Sequence, residues 1–227
     1  TRLGIRNLAY LRIAFNCDLI GKVVSPDTIR AINRASLKAC ASMYWHCIAG
    51  QTNLPVKTAI NYKIPLIIWG IHQGIDQVGM YSHLDEVEMT RKYRKEHDLM
   101  GFEVEDLINF DPRLNAFNLE LFRYPQDAEL AAIGVRGIYL SNYLRWDSKS
   151  QHELMIEAYG YETAIQERTF DTYNDVDCFH YSGLHDYIKF LKFGYGKATD
   201  HACREIRLKR MSRERGNRLA DAYAPVK

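Results

Sequence analysis

The run at residues 64–69, Ile-Pro-Leu-Ile-Ile-Trp, constrains the fold more than any other segment because every residue in it is apolar. A short apolar run without alternation predicts a strand that is buried on both faces, as in a parallel sheet. Apolar residues at helical spacing precede this run and end near Tyr62 and Lys63, and Gly70 follows it. The order of helix, buried strand and glycine is typical of α/β construction.

Two further segments predict strands, at residues 17–24 and 137–143. A helix is expected directly after the first of them, because Ser25 can cap it and Pro26 suits a first helical turn. Hydrophobic spacing and turn residues predict further helices at 84–99, 104–110, 127–133, 148–159, 184–193 and 198–223. The sequence therefore predicts half of an α/β sheet followed by a mostly helical region.

Charge and hydropathy exclude several classes of protein. Thirty Lys and Arg stand against 28 Asp and Glu, a formal charge of +2, with 47% hydrophobic residues. Coating a nucleic acid requires a clear cationic excess, so no nucleic-acid partner is expected, and the arginines at 204–215 are interpreted as solvent-facing or as part of an interface. No apolar run reaches the roughly 20 residues of a membrane span, and no signal peptide precedes residue 20.

The five cysteines are dispersed and odd in number. This pattern favours reduced thiols and a cytoplasmic location over a disulfide framework. Cys40 and Cys47 lack the tight pairing, with a second pair downstream, that structural zinc sites use. We therefore expect no metal site built on the cysteines.

Polar residues follow the predicted strand at 64–69. Gly70 is followed by His72, Gln73 and Asp76. Ligands of open parallel sheets bind beyond the carboxyl ends of the strands, where a glycine lets the backbone approach a nucleotide. A glycine-rich turn with incidental polar residues explains the same pattern, and the sequence leaves both interpretations open.

A second candidate segment begins at Trp146 and continues with Asp147, Ser148 and Lys149. An aromatic ring beside an acid and a base suits a sugar or a nucleotide, because the ring stacks on apolar faces while charged groups bind hydroxyls. The alternative is a tryptophan anchor with Asp147 or Ser148 capping the next helix. The two interpretations are compatible.

The segment with the most candidate functional residues covers residues 183–201. His185, Lys189 and Lys192 are three or four positions apart and so share one face of the predicted helix. A cationic face near a glycine turn, with Thr199 at the start of the next helix, suits phosphate or carboxylate. A solvated basic face is the alternative.

Taken together, these segments resemble the N-acetyl sugar amidotransferase family, whose members are PP-loop ATP pyrophosphatases. The resemblance runs from near residue 6 to the end of the chain and is most specific at 183–200. The segments that carry it are 65–70, 137–143, 146–149, 183–187, 198–200 and 210–214.

The resemblance implies the later part of a Rossmann-like sheet of the adenine nucleotide alpha hydrolase type. Residues 1–83 would be the remaining part of a nucleotide-binding domain, and residues 84–227 a mostly helical region for the sugar substrate and partners. The implied reaction converts the acetamido group of a nucleotide-activated N-acetyl sugar into an acetamidino group, for O-antigen synthesis. ATP and Mg²⁺ are the implied cofactors, and ammonia is implied to come from a glutaminase subunit with a cyclase-like partner.

The resemblance also implies roles for individual residues, as catalytic, nucleotide-binding and substrate-binding groups. The implied catalytic residues are His185, Asp186 and Lys189. The implied nucleotide-binding residues are Gly70, His72, Gln73 and Asp76. The implied substrate-binding residues are Trp146, Asp147, Lys149, Lys192 and Thr199.

One departure from the family concerns the phosphates of ATP. The Ser-Gly-Gly-x-Asp-Ser loop that would hold them is absent from this sequence. We therefore expect an internal or C-terminal portion of such an enzyme that does not hydrolyse ATP alone. Two alternatives stay open: a non-catalytic sugar-nucleotide-binding or subunit-docking module, and another PP-loop activity such as tRNA thiolation.

Overall fold

A computed structural model describes residues 1–71 and 86–224 of the chain. Two compact units are present and are described separately. The sheet unit is Val23–Trp146, and the helical unit combines Thr1–Lys22 with Asp147–Lys227. The domain boundary predicted between residues 83 and 84 lies outside the described residues.

Ten helices and two strands make up the regular structure of the described residues. In chain order they are α1 (Arg2–Phe15), α2 (Pro26–Cys40), α3 (Trp45–Tyr62), β1 (Leu66–Trp69), α4 (Arg91–Tyr93), α5 (Val104–Leu107), α6 (Asp127–Ile133), β2 (Arg136–Tyr139), α7 (Ser148–Tyr159), α8 (Phe179–Phe193), α9 (Lys197–Arg207) and α10 (Arg213–Ala222). A π-helical turn, Arg94–Asp98, continues α4, and 3₁₀ turns occupy Ile108–Phe110, Glu120–Phe122 and Leu140–Asn142. The protein is thus α/β and mostly helical.

Local sequence chemistry accounts for the helix ends that were predicted. The Ser25 hydroxyl accepts a hydrogen bond from the backbone N–H of Thr28, and Pro26 stands in the first turn of α2. Asp147 caps α7 in the same way, accepting from the N–H of Ser150 at 3.3 Å. The capping role expected of Asp147 is confirmed.

The strands β1 and β2 form a two-stranded parallel sheet, with Leu66 opposite Arg136 and Trp69 opposite Tyr139. The strands predicted at 64–69 and 137–143 are confirmed in type, although the second turns into a 3₁₀ helix at Leu140. Burial of the first strand on both faces is wrong for the described structure, since Ile68 is 61% exposed. Leu66 and Ile68 share the exposed face of β1, whereas Ile67 and Trp69 on the other face are half-buried. The Rossmann-like arrangement stays a prediction.

The strand predicted at residues 17–24 is also wrong. This segment has no regular structure, and Val23 is fully exposed. It follows α1, which ends at Asn16 in the left-handed conformation. Asp18 and Gly21 interrupt its apolar residues, and no neighbouring strand of the described chain compensates for that weakness.

Two predicted helices are divided in the structure. Part of the helix predicted at 84–99 is irregular, and its described helical part is α4 with the π-helical turn. The helix predicted at 198–223 is two helices, α9 and α10, which are separated where Lys209 adopts a left-handed conformation. Helical composition alone does not locate such breaks.

The sheet unit has an apolar core that surrounds one buried arginine. The core residues are Ala31, Ile32, Ala35, Trp45, Ala49, Leu99, Val104, Leu107, Leu114, Leu119 and Phe122. Arg94 is 2% exposed and forms an ion pair with Glu103 at 2.9 Å. Its guanidinium also donates to the Thr52 hydroxyl at 2.9 Å and lies 4.8 Å from the centre of the Tyr124 ring.

Replacing Arg94 should therefore destabilise the protein. In Arg94→Met the Glu103 carboxylate loses its partner, and breaking a buried ion pair costs about 3–5 kcal/mol of unfolding free energy. Urea unfolding measures the loss. The matched control is Arg30→Met, because the Arg30–Asp27 pair is exposed and should contribute less than about 1 kcal/mol. Equal losses in the two variants would contradict the structural role of Arg94.

Candidate functional site

A cavity of about 80 Å³ lies at the carboxyl ends of both strands in the sheet unit, and we call it the strand-end cavity. Trp69 and Tyr139, the last residues of β1 and β2, contribute to its wall. Its lining residues are Ile48, Gln51, Thr52, Trp69, Ile71, Met89, Arg94, Asp98 and Tyr139. The position agrees with the general rule that ligands of parallel sheets bind beyond the strand ends.

Two polar groups in the wall of this cavity stand out chemically. The indole N–H of Trp69 is buried and has no hydrogen-bond partner among the described residues. Burial raises the pKa of the Asp98 carboxyl to about 6, although the charges of Arg94 and His97 act in the opposite direction. Asp98 ends the π-helical turn, a type of distortion that is frequent at functional sites.

The glycine expected to admit a nucleotide is covered by an aromatic ring. A Cβ atom on Gly70 would lie 2.8 Å from Cη2 of Trp146. The missing side chain of Gly70 therefore makes room for Trp146 of the same unit. The other predicted nucleotide-binding residues, His72, Gln73 and Asp76, lie outside the described residues.

The described residues at the strand ends do not fit the phosphates of ATP and their Mg²⁺. Arg94 is the cation in the wall of the cavity, and its donors already bind Glu103, Thr52 and the carbonyl oxygens of Ala49 and Phe122. The described parts of the chain also contain no group of three or more His, Cys, Asp or Glu side chains suited to a metal ion.

The residues predicted as catalytic lie on α8 in the helical unit. Asp186 is buried and accepts hydrogen bonds from Arg168 Nε at 3.0 Å and from the backbone N–H of Lys197 at 2.5 Å. Lys189 forms an ion pair with Asp200. Both residues thus connect α8 to the segments around it.

His185 precedes Asp186 and is partly buried. Burial is the largest influence on its pKa and lowers it, with smaller contributions in the same direction from Lys189 and Lys192. Asp186 acts in the opposite direction. The imidazole is therefore held in its neutral form near pH 7, in which one ring nitrogen can accept a proton.

The interior of the helical unit contains a chain of ion pairs that the sequence did not reveal. Arg204 donates to Asp171 at 2.9 Å and is paired with Glu205 at 3.2 Å. Glu205 is in turn paired with Arg210 at 2.7 Å, and Arg210 binds both oxygens of Asp147. The interpretation of these arginines as solvent-facing is wrong for Arg204, which is 5% exposed, because its charge is paired inside the unit.

One sequence signal could have found the buried face of α9. Ala198, His201, Ala202 and Glu205 follow the i, i+3, i+4, i+7 spacing of a helix face that packs inward, and all four are buried. The His201 ring nitrogen Nδ1 lies 2.7 Å from the Thr169 hydroxyl, and burial lowers the pKa of this histidine. The buried face was not predicted because the many charged residues of α9 suggested exposure to solvent.

The ion-pair chain borders a second cavity of about 360 Å³, which we call the arginine cavity. Its lining residues are Lys149, Glu153, Ile156, Phe170, Asp171, Thr172, Tyr173, Arg204, Glu205, Arg210, Met211 and Arg215. Lys149, predicted to bind substrate, is in its wall, and Asp147 is bonded to the wall residue Arg210. The wall includes neither the other predicted substrate-binding residues of this unit, Lys192 and Thr199, nor the predicted catalytic residues His185, Asp186 and Lys189.

Comparison with known proteins gives a match in the helical unit. Residues 167–226 match the family model described as the C-terminal domain of WbpG-like LPS biosynthesis proteins. The matched part contains α8, α9 and α10, and with them most of the ion-pair chain. No curated protein matches the chain significantly. In the described parts of the chain, no helix has the length and apolar character needed to cross a membrane.

The raised pKa of Asp98 predicts that its ionisation costs stability. In the unfolded chain this carboxyl ionises near its ordinary pKa, whereas in the folded protein it ionises near pH 6. The folded state therefore binds more protons between these values, and its stability falls as the pH rises through that window. In Asp98→Asn this loss is removed, so the variant should gain about 1–3 kcal/mol relative to wild type between pH 4 and pH 7.

Urea unfolding at both pH values measures the gain. Glu96→Gln is the matched control, because Glu96 lies on the same π-helical turn and is exposed. A relative stability of Asp98→Asn that is the same at pH 4 and pH 7 would show that Asp98 titrates normally.

Proposed function

We propose that this chain belongs to the machinery that converts the acetamido group of a nucleotide-activated N-acetyl sugar into an acetamidino group for LPS biosynthesis. The observation that carries the proposal is the match of residues 167–226 to the C-terminal domain of WbpG-like LPS biosynthesis proteins. The acetamido chemistry, the glutaminase and cyclase-like partners, and the roles of ATP and Mg²⁺ are implied by the resemblance of the sequence to N-acetyl sugar amidotransferases.

The arginine cavity supports the binding of a sugar nucleotide in the helical unit. Phe170 supplies an aromatic ring against which a sugar or a base can pack. Carboxylates such as Glu153 can accept hydrogen bonds from sugar hydroxyls, and Arg215 on α10 can bind a phosphate. A cavity with this combination suits a ligand that is sugar at one end and anionic at the other.

The ion-pair chain holds this cavity in shape. Arg204 and Arg210 are bonded to carboxylates on both sides, so their charges are largely compensated within the protein. We therefore assign them a positioning role. We assign phosphate binding to Arg215 and to Lys149 at the cavity wall, since the ion pair of Lys149 with Glu153 is long, at 3.6 Å, and exposed, and so holds the lysine weakly. Asp147 takes part by fixing Arg210.

His185 is the side chain of α8 that we propose to act on the reacting group. Attack of ammonia on the adenylated amide carbon forms a C–N bond and leaves the new nitrogen positively charged. A neutral imidazole can accept one proton from it, after which the C–O bond breaks and AMP leaves. Asp186 and Lys189 are engaged with Arg168 and Asp200, so we propose that they position α8 and the start of α9. This assignment separates one proposed proton acceptor from two positioning residues.

A specific observation favours a second candidate function. Since the described residues at the strand ends do not fit the phosphates of ATP, the chain could serve as a sugar-nucleotide-binding or docking module whose partner performs the activation. In this function the arginine cavity would have the same ligand, and His185 would have no chemical role. The two candidates therefore differ in the effect of removing the imidazole.

Analysis of the LPS sugars tests the proposal. In cells that lack the gene, mass spectrometry should find acetamido sugars where the parent LPS has acetamidino sugars. The wild-type gene and the control Arg218→Ala, an exposed position on α10 outside the wall of the arginine cavity, should restore the amidine. His185→Ala should not restore it, although the variant protein is present at the wild-type level.

Two other outcomes are informative. Restoration of the amidine by His185→Ala would favour the binding module. Identical LPS sugars in the parent and the deletion strain would contradict the proposed reaction altogether.

A further inference from the structure

We propose that the strand-end cavity binds a small carboxamide, with the indole N–H of Trp69 donating to its carbonyl oxygen and Asp98 accepting from its N–H group. The inference rests on the chemistry and size of the cavity wall. It does not depend on the proposed function.

The size of the cavity sets the scale of the group that fits inside it. At roughly 15 Å³ for each water-sized group, about 80 Å³ accommodates around five such groups. A methyl, a carbonyl and an N–H group together fit this space. Ile48, Ile71 and Met89 supply apolar wall that suits the methyl group.

The polar groups of the wall define the hydrogen-bonding pattern. The Trp69 N–H is a buried donor without a partner among the described residues, and an N–H in that position favours a ligand that brings an acceptor. Asp98 is a partly buried carboxyl in the wall that can accept from a ligand donor. A carboxamide carries one acceptor and one donor on adjacent atoms.

The remaining polar wall residues are already engaged or neutral. Arg94 is bonded to Glu103 and to the Thr52 hydroxyl, and Thr52 itself donates to the carbonyl oxygen of Ile48 at 2.7 Å. Gln51 and the phenol of Tyr139 are uncharged, since burial raises the pKa of Tyr139 well above its ordinary value. Asp98 is therefore the acidic group that a ligand in this cavity meets.

Other small ligands fit this wall less well. A carboxylate would place its charge beside Asp98, and like charges in a partly buried site repel. An ammonium ion has no acceptor and would leave the Trp69 N–H without a partner. A neutral amide avoids both penalties.

Nuclear magnetic resonance of the indole groups tests the proposal with N-methylacetamide as the probe. The chain has three tryptophans, so ¹⁵N labelling of the indoles gives three signals, and Trp69→Phe identifies the signal of Trp69. We expect this signal to shift progressively and to saturate as its N–H gains an acceptor. The affinity should be millimolar or weaker because the probe has few atoms.

Variants separate the proposed contact from general effects. Asp98→Ala should weaken binding of the probe about tenfold, since a hydrogen bond to a charged group is lost, and Asp98→Asn should weaken it less. Glu96→Gln, on the same turn but exposed, should bind like wild type. An unchanged affinity in Asp98→Ala would overturn the role of Asp98.

Control ligands decide whether the site is specific for amides. Acetate and ammonium should cause no shift of the Trp69 indole signal at concentrations where the shift caused by N-methylacetamide is saturated. An equal shift with either ion, or no shift with the amide, would overturn the proposal. The titration needs no ATP, partner or catalysis, so a negative result here is distinguishable from unchanged LPS sugars, which concern the proposed function.

Discussion

The buried guanidinium of Arg94 is the interaction on which the sheet unit depends. It joins α3, through Thr52 and the Ala49 carbonyl, to Glu103 at the start of α5 and to the Phe122 carbonyl. An arginine is suited to this role because its planar donors can bind several oxygens at once. The same side chain forms part of the wall of the strand-end cavity. Arg94 therefore contributes both to the packing of the unit and to the shape of the cavity.

The helical unit depends on polar interactions to a much greater degree. Its buried residues include Asp171, His201, Arg204 and Glu205, and paired charges occupy much of its interior. Such pairs favour a specific arrangement more than they favour stability, because desolvation offsets much of their attraction. The arginine cavity lies beside this chain of pairs, whose geometry therefore fixes the positions of its wall residues.

Local patterns predicted most of the elements but few of the contacts. The helix that starts at Pro26, the strand before Gly70 and the helix Ser148–Tyr159 could be predicted because caps and apolar runs are properties of neighbouring residues. The strand at 17–24 failed because strand formation depends on partners elsewhere in the chain. The roles of Asp98 and Arg204 could not be predicted either, since burial and pairing join residues that are distant in sequence. The roles predicted for His72, Gln73 and Asp76 stay predictions.

The central claim is that the arginine cavity of the helical unit binds a sugar nucleotide. Hydrogen exchange measured by mass spectrometry tests it most directly, with a nucleotide-activated N-acetylhexosamine compared with the free N-acetylhexosamine. We predict slower exchange around Arg204 with the sugar nucleotide and little change with the free sugar, because the proposed phosphate contacts come from Arg215 and Lys149. Unchanged exchange around Arg204 with the sugar nucleotide, or the same protection with both ligands, would contradict the claim.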